Sequence, residues 1–152
     1  MQIEADAISI QFEIPAQDAL GLQEVEGKVQ GMEDAVFLHW KLRDNPFKNE
    51  TNEITTIKFA YHEIESVELQ SKLFRPKHLI LKVCDPKKIS DIPGVSMGKA
   101  DLVIAKASKN DVDRLAKFLD YKVSEYRMLR TEERMDALRS GDDESTDSEL
   151  GQ

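Results

Sequence analysis

Three histidines and one cysteine are the side chains of this sequence best suited to metal binding or nucleophilic catalysis. None of His39, His62 and His78 has another histidine or cysteine three or four residues away. Protein zinc sites usually combine such ligands at short, regular spacings, so the sequence predicts no metal site. His39 shares strand parity with Lys41 and Arg43, which predicts an outward-facing side chain. We expect all three histidines to be ordinary surface or hydrogen-bonded residues.

Cys84 is the single cysteine and therefore the one candidate thiol nucleophile. Lys87 and Lys88 follow it closely, and nearby positive charge favours the reactive thiolate form of a cysteine. No residue in the pattern is suited to act as its general base, and the sequence contains no phosphate-binding glycine loop and no Gly-x-Ser-x-Gly turn. The sequence therefore predicts a protein that is not an enzyme and that uses no cofactor.

A basic segment is the remaining feature that suggests a function. Residues 72–109 contain nine lysines and arginines and three acids, whereas residues 1–71 contain 14 acids and five bases. Charge asymmetry of this kind bears on partners and solubility rather than on fold. Two ordinary solvated faces would also account for it.

The start of the basic segment, Lys72-Leu73-Phe74-Arg75-Pro76-Lys77, places an apolar pair between basic residues. Two interpretations are open. In one, Leu73 and Phe74 fold inward and join the core; in the other, they form an exposed docking tip for an acidic partner or an anionic surface. The second interpretation gives a candidate interaction surface made of this apolar pair and the bases around it: Lys72, Leu73, Phe74, Arg75, Lys77, Lys87 and Lys88.

Length and composition predict one soluble globular domain. The 152 residues are 40% apolar and 33% charged, and the formal net charge is -8. No run of about 18 apolar residues is available for a transmembrane helix. Residues 1–6 carry acids where a secretory signal peptide needs bases, and a single cysteine suits a reducing compartment, so we expect a cytoplasmic protein. Nucleic-acid binding would use a basic surface interleaved with aromatic residues, and we expect no such partner.

The C-terminal segment differs in composition from the rest of the chain. Residues 132–152 carry eight acids and two arginines, a net charge of -6. A segment with so little apolar surface cannot offset its ordering entropy by burial. We therefore expect a single domain over residues 1–130 and an acidic, disordered tail over residues 131–152. Opposite charge would allow this tail to cover the basic segment.

Seven strand patterns followed by one helix pattern must position these residues. Ile8, Ile10, Phe12 and Ile14 alternate with polar residues, which is typical of a half-buried strand. Further strands are predicted over residues 22–30, 36–43, 54–61, 62–70, 78–85 and 101–107, with a bulge or break near Glu65.

The helix pattern runs from about residue 109 to about residue 129, because apolar residues recur there at spacings of three and four. Its stripe consists of Val112, Leu115, Ala116, Leu119, Val123 and Tyr126. Strand parity and this stripe together predict one core that contains Trp40, Leu81, Leu102, Leu115 and Leu119.

Strands joined by short connections and followed by one helix resemble the pleckstrin-homology-like (PH-like) fold, over residues 7–129. Residues 74–119 also look like small uncharacterised bacterial PH-like proteins in which a loop containing Ile-Pro joins the last two strands. The likeness rests on five segments: Phe74-Arg75-Pro76, Leu79–Val83, Ile89–Gly94, Leu102–Lys106 and Asp113–Leu115. The resemblance implies a mainly β fold with one C-terminal α-helix, namely a PH-like seven-stranded antiparallel sandwich or barrel capped by the helix.

The resemblance also bears on phosphoinositides, which PH domains typically bind through lysines and arginines in and beside the first hairpin loop. Here that loop, Pro15–Gly21, has Asp18 as its only charged residue, and Lys28 is the first base in the chain. We therefore expect no inositol-phosphate site there. The functional expectation is a non-catalytic PH-like interaction module that binds a protein or peptide, or that self-associates as a homo-oligomer. The alternative is peripheral binding to anionic phospholipid membranes through the basic 72–88 segment.

Overall fold

The structure, a computed structural model, describes residues 8–44 and 52–150, with the backbone alone for residues 141–150. The N-terminal residues, on which the expectation about a signal peptide rests, lie outside the described residues. No helix in the described part of the chain is long and apolar enough to cross a bilayer.

Seven antiparallel strands form one continuous sheet, in the hydrogen-bonded order β4-β3-β2-β1-β7-β6-β5. The strands are β1 (Ile8–Ile14), β2 (Val25–Gly31), β3 (Ala35–Leu42), β4 (Thr55–Ala60), β5 (Ile64–Gln70), β6 (His78–Val83) and β7 (Lys99–Ile104), and the helix is α1 (Asp111–Leu150). Short 3-10 turns occupy Tyr61–Glu63, Pro86–Ile89 and Lys106–Ser108. The predicted fold class, mainly β with a seven-stranded antiparallel arrangement and one C-terminal helix, is confirmed.

The alternating pattern of β1 places one face of the sheet in the core. Ile10, Phe12 and Ile14 are buried, as the period of two requires. β1 pairs with β2 along its whole length. It pairs with β7 at two positions only, Phe12 with Ile104 and Glu13 with Val103. The pairing between β1 and β7 is therefore the shortest in the sheet, and it involves only the last two residues of β7.

β5 contains the irregularity that the sequence predicted near Glu65. Its register against β6 shifts between Ile64 and Ser66. Because side chains alternate between faces, the extra residue lets Ile64 and Val67 both face the core despite their unequal parity.

The predicted stripe on α1 lies against the sheet. Val112, Leu115 and Leu119 are fully buried, and they share one cluster with Leu81 and Leu102. The core prediction is confirmed for these residues.

The helix is longer than the sequence predicted. It begins at Asp111 and continues to Leu150, so the predicted end near residue 129 is wrong. The core-facing stripe does stop at Tyr126, but the residues that follow are mostly good helix formers and prolong a helix that is already nucleated. Residues 131–150 thus continue α1 where composition suggested a disordered tail, and residues 127–140 are exposed throughout. The division into a domain over 1–130 and an acidic tail stays a prediction.

Candidate functional site

The connection between β5 and β6 forms a protruding tip. The Arg75 N–H donates to the Lys72 carbonyl at 3.2 Å, which closes a tight turn around Leu73 and Phe74. Leu73 is 82% exposed and Phe74 is 97% exposed. Of the two interpretations that the sequence left open, the structure therefore supports the exposed tip, and neither side chain joins the core.

Phe74 also has an unusual backbone conformation, with a φ of 63°. Positive φ places the Cβ of an L-residue too close to its own backbone, and it is rare for bulky residues. Glycine adopts this conformation without that cost. The chain thus keeps a large aromatic side chain in a strained position where it buries nothing within the described structure.

A groove runs beside the tip, with a cavity volume of about 770 Å³. The tip forms one wall, and the end of β7 with the 3-10 turn that follows forms the other. The Ile104 N–H donates to the Lys77 carbonyl at 2.9 Å, which holds the two walls together at the base. The lining is basic and apolar: Glu13, Ser71, Lys72, Leu73, Phe74, Arg75, Pro76, Lys77, Val103, Ile104, Ala105, Lys106 and Lys109.

The groove carries a strong excess of positive charge. Its five bases face one acid, Glu13, which is itself paired with Arg43 at 2.7 Å. Lys77 is held in place, since its Nζ lies 2.9 Å from Asp113 Oδ2 and donates to the Lys109 carbonyl. The other four bases, namely Lys72, Arg75, Lys106 and Lys109, form no ion pair within residues 8–44 and 52–140. The groove therefore attracts anions mainly through these four side chains.

Lys87 and Lys88 do not belong to this surface. They follow the far end of β6, and six strand residues separate the two ends by about 20 Å. Lys88 is engaged in a different contact, 2.6 Å from Glu63 Oε2 and over the ring of Phe59. The candidate surface predicted from the sequence is thus split: Lys72, Leu73, Phe74, Arg75 and Lys77 come together, and the other two lysines lie elsewhere.

The second wall of the groove was not predicted from the sequence. Val103, Ala105, Lys106 and Lys109 come from the end of β7 and the residues after it, about 30 positions from the tip along the chain. The sequence pattern identified Lys106 and Lys109 only as part of the excess of positive charge over residues 72–109. No local pattern could have placed them beside Phe74, because the pairing of β6 with β7 brings them there.

Two of the histidines form hydrogen bonds with neighbouring polar side chains. His39 lies 2.8 Å from Thr56 Oγ1 and 3.0 Å from Gln30 Oε1, and His78 lies 2.7 Å from Asp101 Oδ1. Within the described residues no three His, Cys, Asp or Glu side chains converge as metal ligands would.

Cys84 is exposed, and its thiol lies 3.6 Å from the carbonyl of His62. Within the described residues, no general base is among the hydrogen-bond partners of this thiol.

A second cavity, of about 550 Å³, lies along β1, β2 and β3, and nothing in the sequence pattern indicated it. Trp40 lines it, packs against the core cluster and is half-buried, so it is less enclosed than predicted. The charges around this cavity are balanced, and Lys41 pairs with Glu26 at 3.5 Å. It therefore shows no preference for one sign of charge, unlike the groove beside the tip.

The acidic end of the chain lies far from the groove in this structure. α1 begins beside the tip, where Lys77 contacts Asp113, and Arg127 donates to the Glu65 carbonyl at the opposite end of β5. These two contacts are separated by about 20 Å along the helix axis. Because α1 continues in the same direction, its exposed part leads away from the groove, and cover of the basic segment by the tail stays a prediction.

The contact between Lys88 and Glu63 has a consequence for acid stability. The Lys88 ammonium and the Ala60 N–H both donate to the Glu63 carboxylate, and they hold its pKa below the ordinary value. A carboxyl whose pKa is lower in the folded than in the unfolded state stabilises the fold above its unfolded pKa, near 4.3, and loses that contribution as the pH falls through its folded pKa.

We therefore expect stability to fall as the pH drops below about 4.3, and Glu63→Gln to make this loss shallower. Urea denaturation at a series of pH values would measure it. Asp18 and Asp44 also have lowered pKa values, because backbone N–H groups donate to them, so part of the acid loss should remain in Glu63→Gln. An unchanged slope in that variant would contradict the assignment.

Searches against protein-family models, curated proteins and solved structures find no match. The fold and the site together define a class of protein, which has a seven-stranded antiparallel sheet, a C-terminal helix and a basic groove beside an exposed apolar tip.

Proposed function

We propose that the protein is a non-catalytic, PH-like interaction module of the cytoplasm that binds an acidic segment of a protein partner at the tip and its groove. The observation that carries this proposal is Phe74, which is almost completely exposed and held at positive φ. Strain of this kind, with no stabilising contact in return, is typical of residues kept for binding.

The shape and charge of the groove support a peptide-like ligand. A concave cavity whose second wall is apolar from Val103 to Ala105 offers burial to one or two apolar side chains. The bases on the rim of the groove would pair with carboxylates on either side of those apolar side chains of the ligand. A ligand that alternates acidic and apolar residues satisfies both features.

An anionic phospholipid membrane is the second candidate, and one specific observation favours it. Leu73 and Phe74 protrude side by side, with Lys72 and Arg75 next to them. Apolar side chains that enter the interface, combined with bases that contact anionic headgroups, provide peripheral membrane binding. This candidate uses the tip and does not require the groove.

Phe74→Gly is the variant that separates binding from folding. Removing the strain of positive φ offsets the extra chain entropy of glycine, so we expect the free energy of unfolding to stay within about 1 kcal/mol of the parent or to rise. Peptides selected from a displayed random library on the parent protein should be rich in Asp and Glu around an apolar residue. They should bind Phe74→Gly at least about tenfold more weakly.

Met97→Gly is the matched control. Met97 is also exposed, at 88%, and also has positive φ, 55°, but it lies in the turn before β7 at the opposite end of the sheet. This variant should bind the selected peptides like the parent. Strong destabilisation by Phe74→Gly, or equal loss in both variants, would contradict the proposal. Co-sedimentation with phosphatidylserine vesicles that is lost in Phe74→Gly, without peptide selection, would replace it by the membrane candidate.

A further inference from the structure

The two ends of α1 carry opposite charge. Its first turn lies beside the groove, whose four bases without an ion pair in residues 8–44 and 52–140 are described above. Asp111 also belongs to this turn, but it does not line the groove. Beyond Arg139 the sequence contains no base and five acids, namely Asp142, Asp143, Glu144, Asp147 and Glu149. We refer to residues 141–150, which contain all five, as the acidic tail.

The distance along the helix prevents these charges from acting on each other within one molecule. Asp142 follows Asp113 by 29 residues, so about 45 Å of helix separates the acidic tail from the groove. The Debye length is about 8 Å at physiological salt, and exposed charges so far apart are screened. The repulsion that follows from the net charge of -8 is screened in the same way. Contacts at short range between opposite charges of two copies therefore decide the electrostatic balance.

The groove is out of reach for the acids of its own chain while residues 111–140 stay helical. Ser140 lies about 40 Å along the helix from Asp113. The last acid, Glu149, follows Ser140 by nine residues, which span only about 30 Å even when the chain is fully extended. The acidic tail of a second copy has no such limit. A second copy is therefore the favoured source of an acidic ligand within this sequence.

The composition of the acidic tail fits the groove in two respects. Its carboxylates match the bases on the rim, and Leu150, directly after Glu149, provides an apolar side chain for the wall from Val103 to Ala105. The cavity beside Trp40 offers no such match, because two acids and two lysines line it. The groove is thus the better of these two cavities for an acidic segment.

We propose that the groove of one copy binds the acidic tail of a second copy. This inference rests on the proposed function, and it identifies this chain itself as a source of the acidic ligand. The contact joins two different surfaces, so it is heterologous, and a single contact leaves one groove and one acidic tail free for further copies.

Sedimentation velocity of the full chain over a concentration series tests the association. We expect association that increases with protein concentration at low ionic strength and that is lost as NaCl rises from about 0.05 M to about 0.5 M. A parent that stays monomeric at every concentration at low salt would overturn the proposal. Association that salt does not weaken would overturn it as well.

A charge reversal in the groove tests the first of the two surfaces. The groove variant, Lys72→Glu with Lys106→Glu, should weaken the association at least about fivefold, because two attractive contacts become repulsive. Lys87→Glu with Lys99→Glu is the matched control, since it makes the same change in net charge at the opposite end of β6 and β7. This control should associate like the parent. Equal losses in both variants would show an effect of net charge alone and would overturn the proposal.

Neutral side chains in the acidic tail test the second surface. The tail variant replaces three acids with their amides: Asp142→Asn, Glu144→Gln and Glu149→Gln. Its matched control makes the same change in charge and composition before Arg139: Glu132→Gln, Glu133→Gln and Asp136→Asn. We expect the tail variant to associate at least about fivefold more weakly than the parent and the control to lose clearly less. The reverse order would contradict the assignment to the acidic tail.

Mixing the groove variant with the tail variant tests whether the contact forms between copies. Each variant alone should associate weakly, whereas the intact groove of one and the intact acidic tail of the other should form a 1:1 complex. No complex in the mixture would overturn the proposal. Monomers throughout, with tighter binding of the selected peptides to the tail variant than to the parent, would assign the contact to the tail of the same molecule.

The peptide selection keeps this inference separate from the proposed function. If selected peptides bind the parent and not Phe74→Gly, but the parent does not self-associate, only the second copy as ligand is refuted. If no peptides are selected and the parent does not self-associate, both the groove as an acidic-ligand site and its occupation by a second copy are refuted.

Discussion

Replacing Leu115 with alanine is expected to lower the free energy of unfolding by about 2–5 kcal/mol, one of the largest effects of any single side chain in the protein. Leu115 is 0% exposed and lies in the cluster that joins α1 to the sheet. The cost combines lost burial with the cavity left behind, because the strands below cannot collapse into it fully. Urea denaturation followed by circular dichroism would measure it.

Two comparisons make this result specific. Leu129→Ala, on the exposed part of the same helix, should change stability by no more than about 0.5 kcal/mol.

Gly31→Ala would place a Cβ 2.9 Å from Leu115 Cδ1 and 3.1 Å from Phe118. Because the first of these overlaps disappears with Leu115→Ala, the double variant should lose less than the two single losses combined. Simple additivity, or an unchanged Leu115→Ala, would refute the packing of α1 on β2.

Gly27→Ala is expected to be at least as damaging, above about 3 kcal/mol, and to prevent cooperative folding if the native protein is only marginally stable. A Cβ at Gly27 would overlap the backbone carbonyl of His39 on the neighbouring strand and lie 2.6 Å from Cζ of the buried Phe12. A flexible side chain could move away, but a paired strand and a core ring cannot. Gly27 is therefore required by the close approach of β1, β2 and β3.

Gly21→Ala is the control that separates overlap from backbone strain. Gly21 has a φ of 66°, yet nothing lies within 4 Å of a Cβ built there. We expect a loss of about 1–2 kcal/mol from strain alone. The thermal unfolding midpoints of both variants would show the difference. Equal losses would mean that the overlap at Gly27 is relieved by a small adjustment, and the close packing of these three strands would be disproved.

The features of this fold differ in how far the sequence predicts them. The alternation of Ile10, Phe12 and Ile14 and the stripe around Leu115 follow from periodicity, since each element must bury one face. The break near Glu65 was also predictable from the sequence, because a change in the parity of the apolar residues along a strand requires an extra residue. These patterns specify seven strands and one helix in order, and the structure has them in that order.

The C-terminal end of the helix could not be predicted from periodicity. The stripe that faces the core stops at Tyr126, whereas α1 continues because its later residues favour helix locally. Sequence periodicity reports where a helix is covered, and intrinsic propensity decides how far it extends beyond that point.

The sequence by itself determined the order of elements, the residues that fill the core and the basic, apolar composition of the segment that starts at Lys72. Only the tertiary structure decided that Phe74 is exposed, that Lys106 and Lys109 join it, and that Lys87 and Lys88 do not. Local periodicity records which face of an element is apolar. The neighbours of a strand, the end of the sheet at which a loop lies, and the direction of a turn side chain depend instead on pairing between segments distant along the chain, which no local pattern encodes.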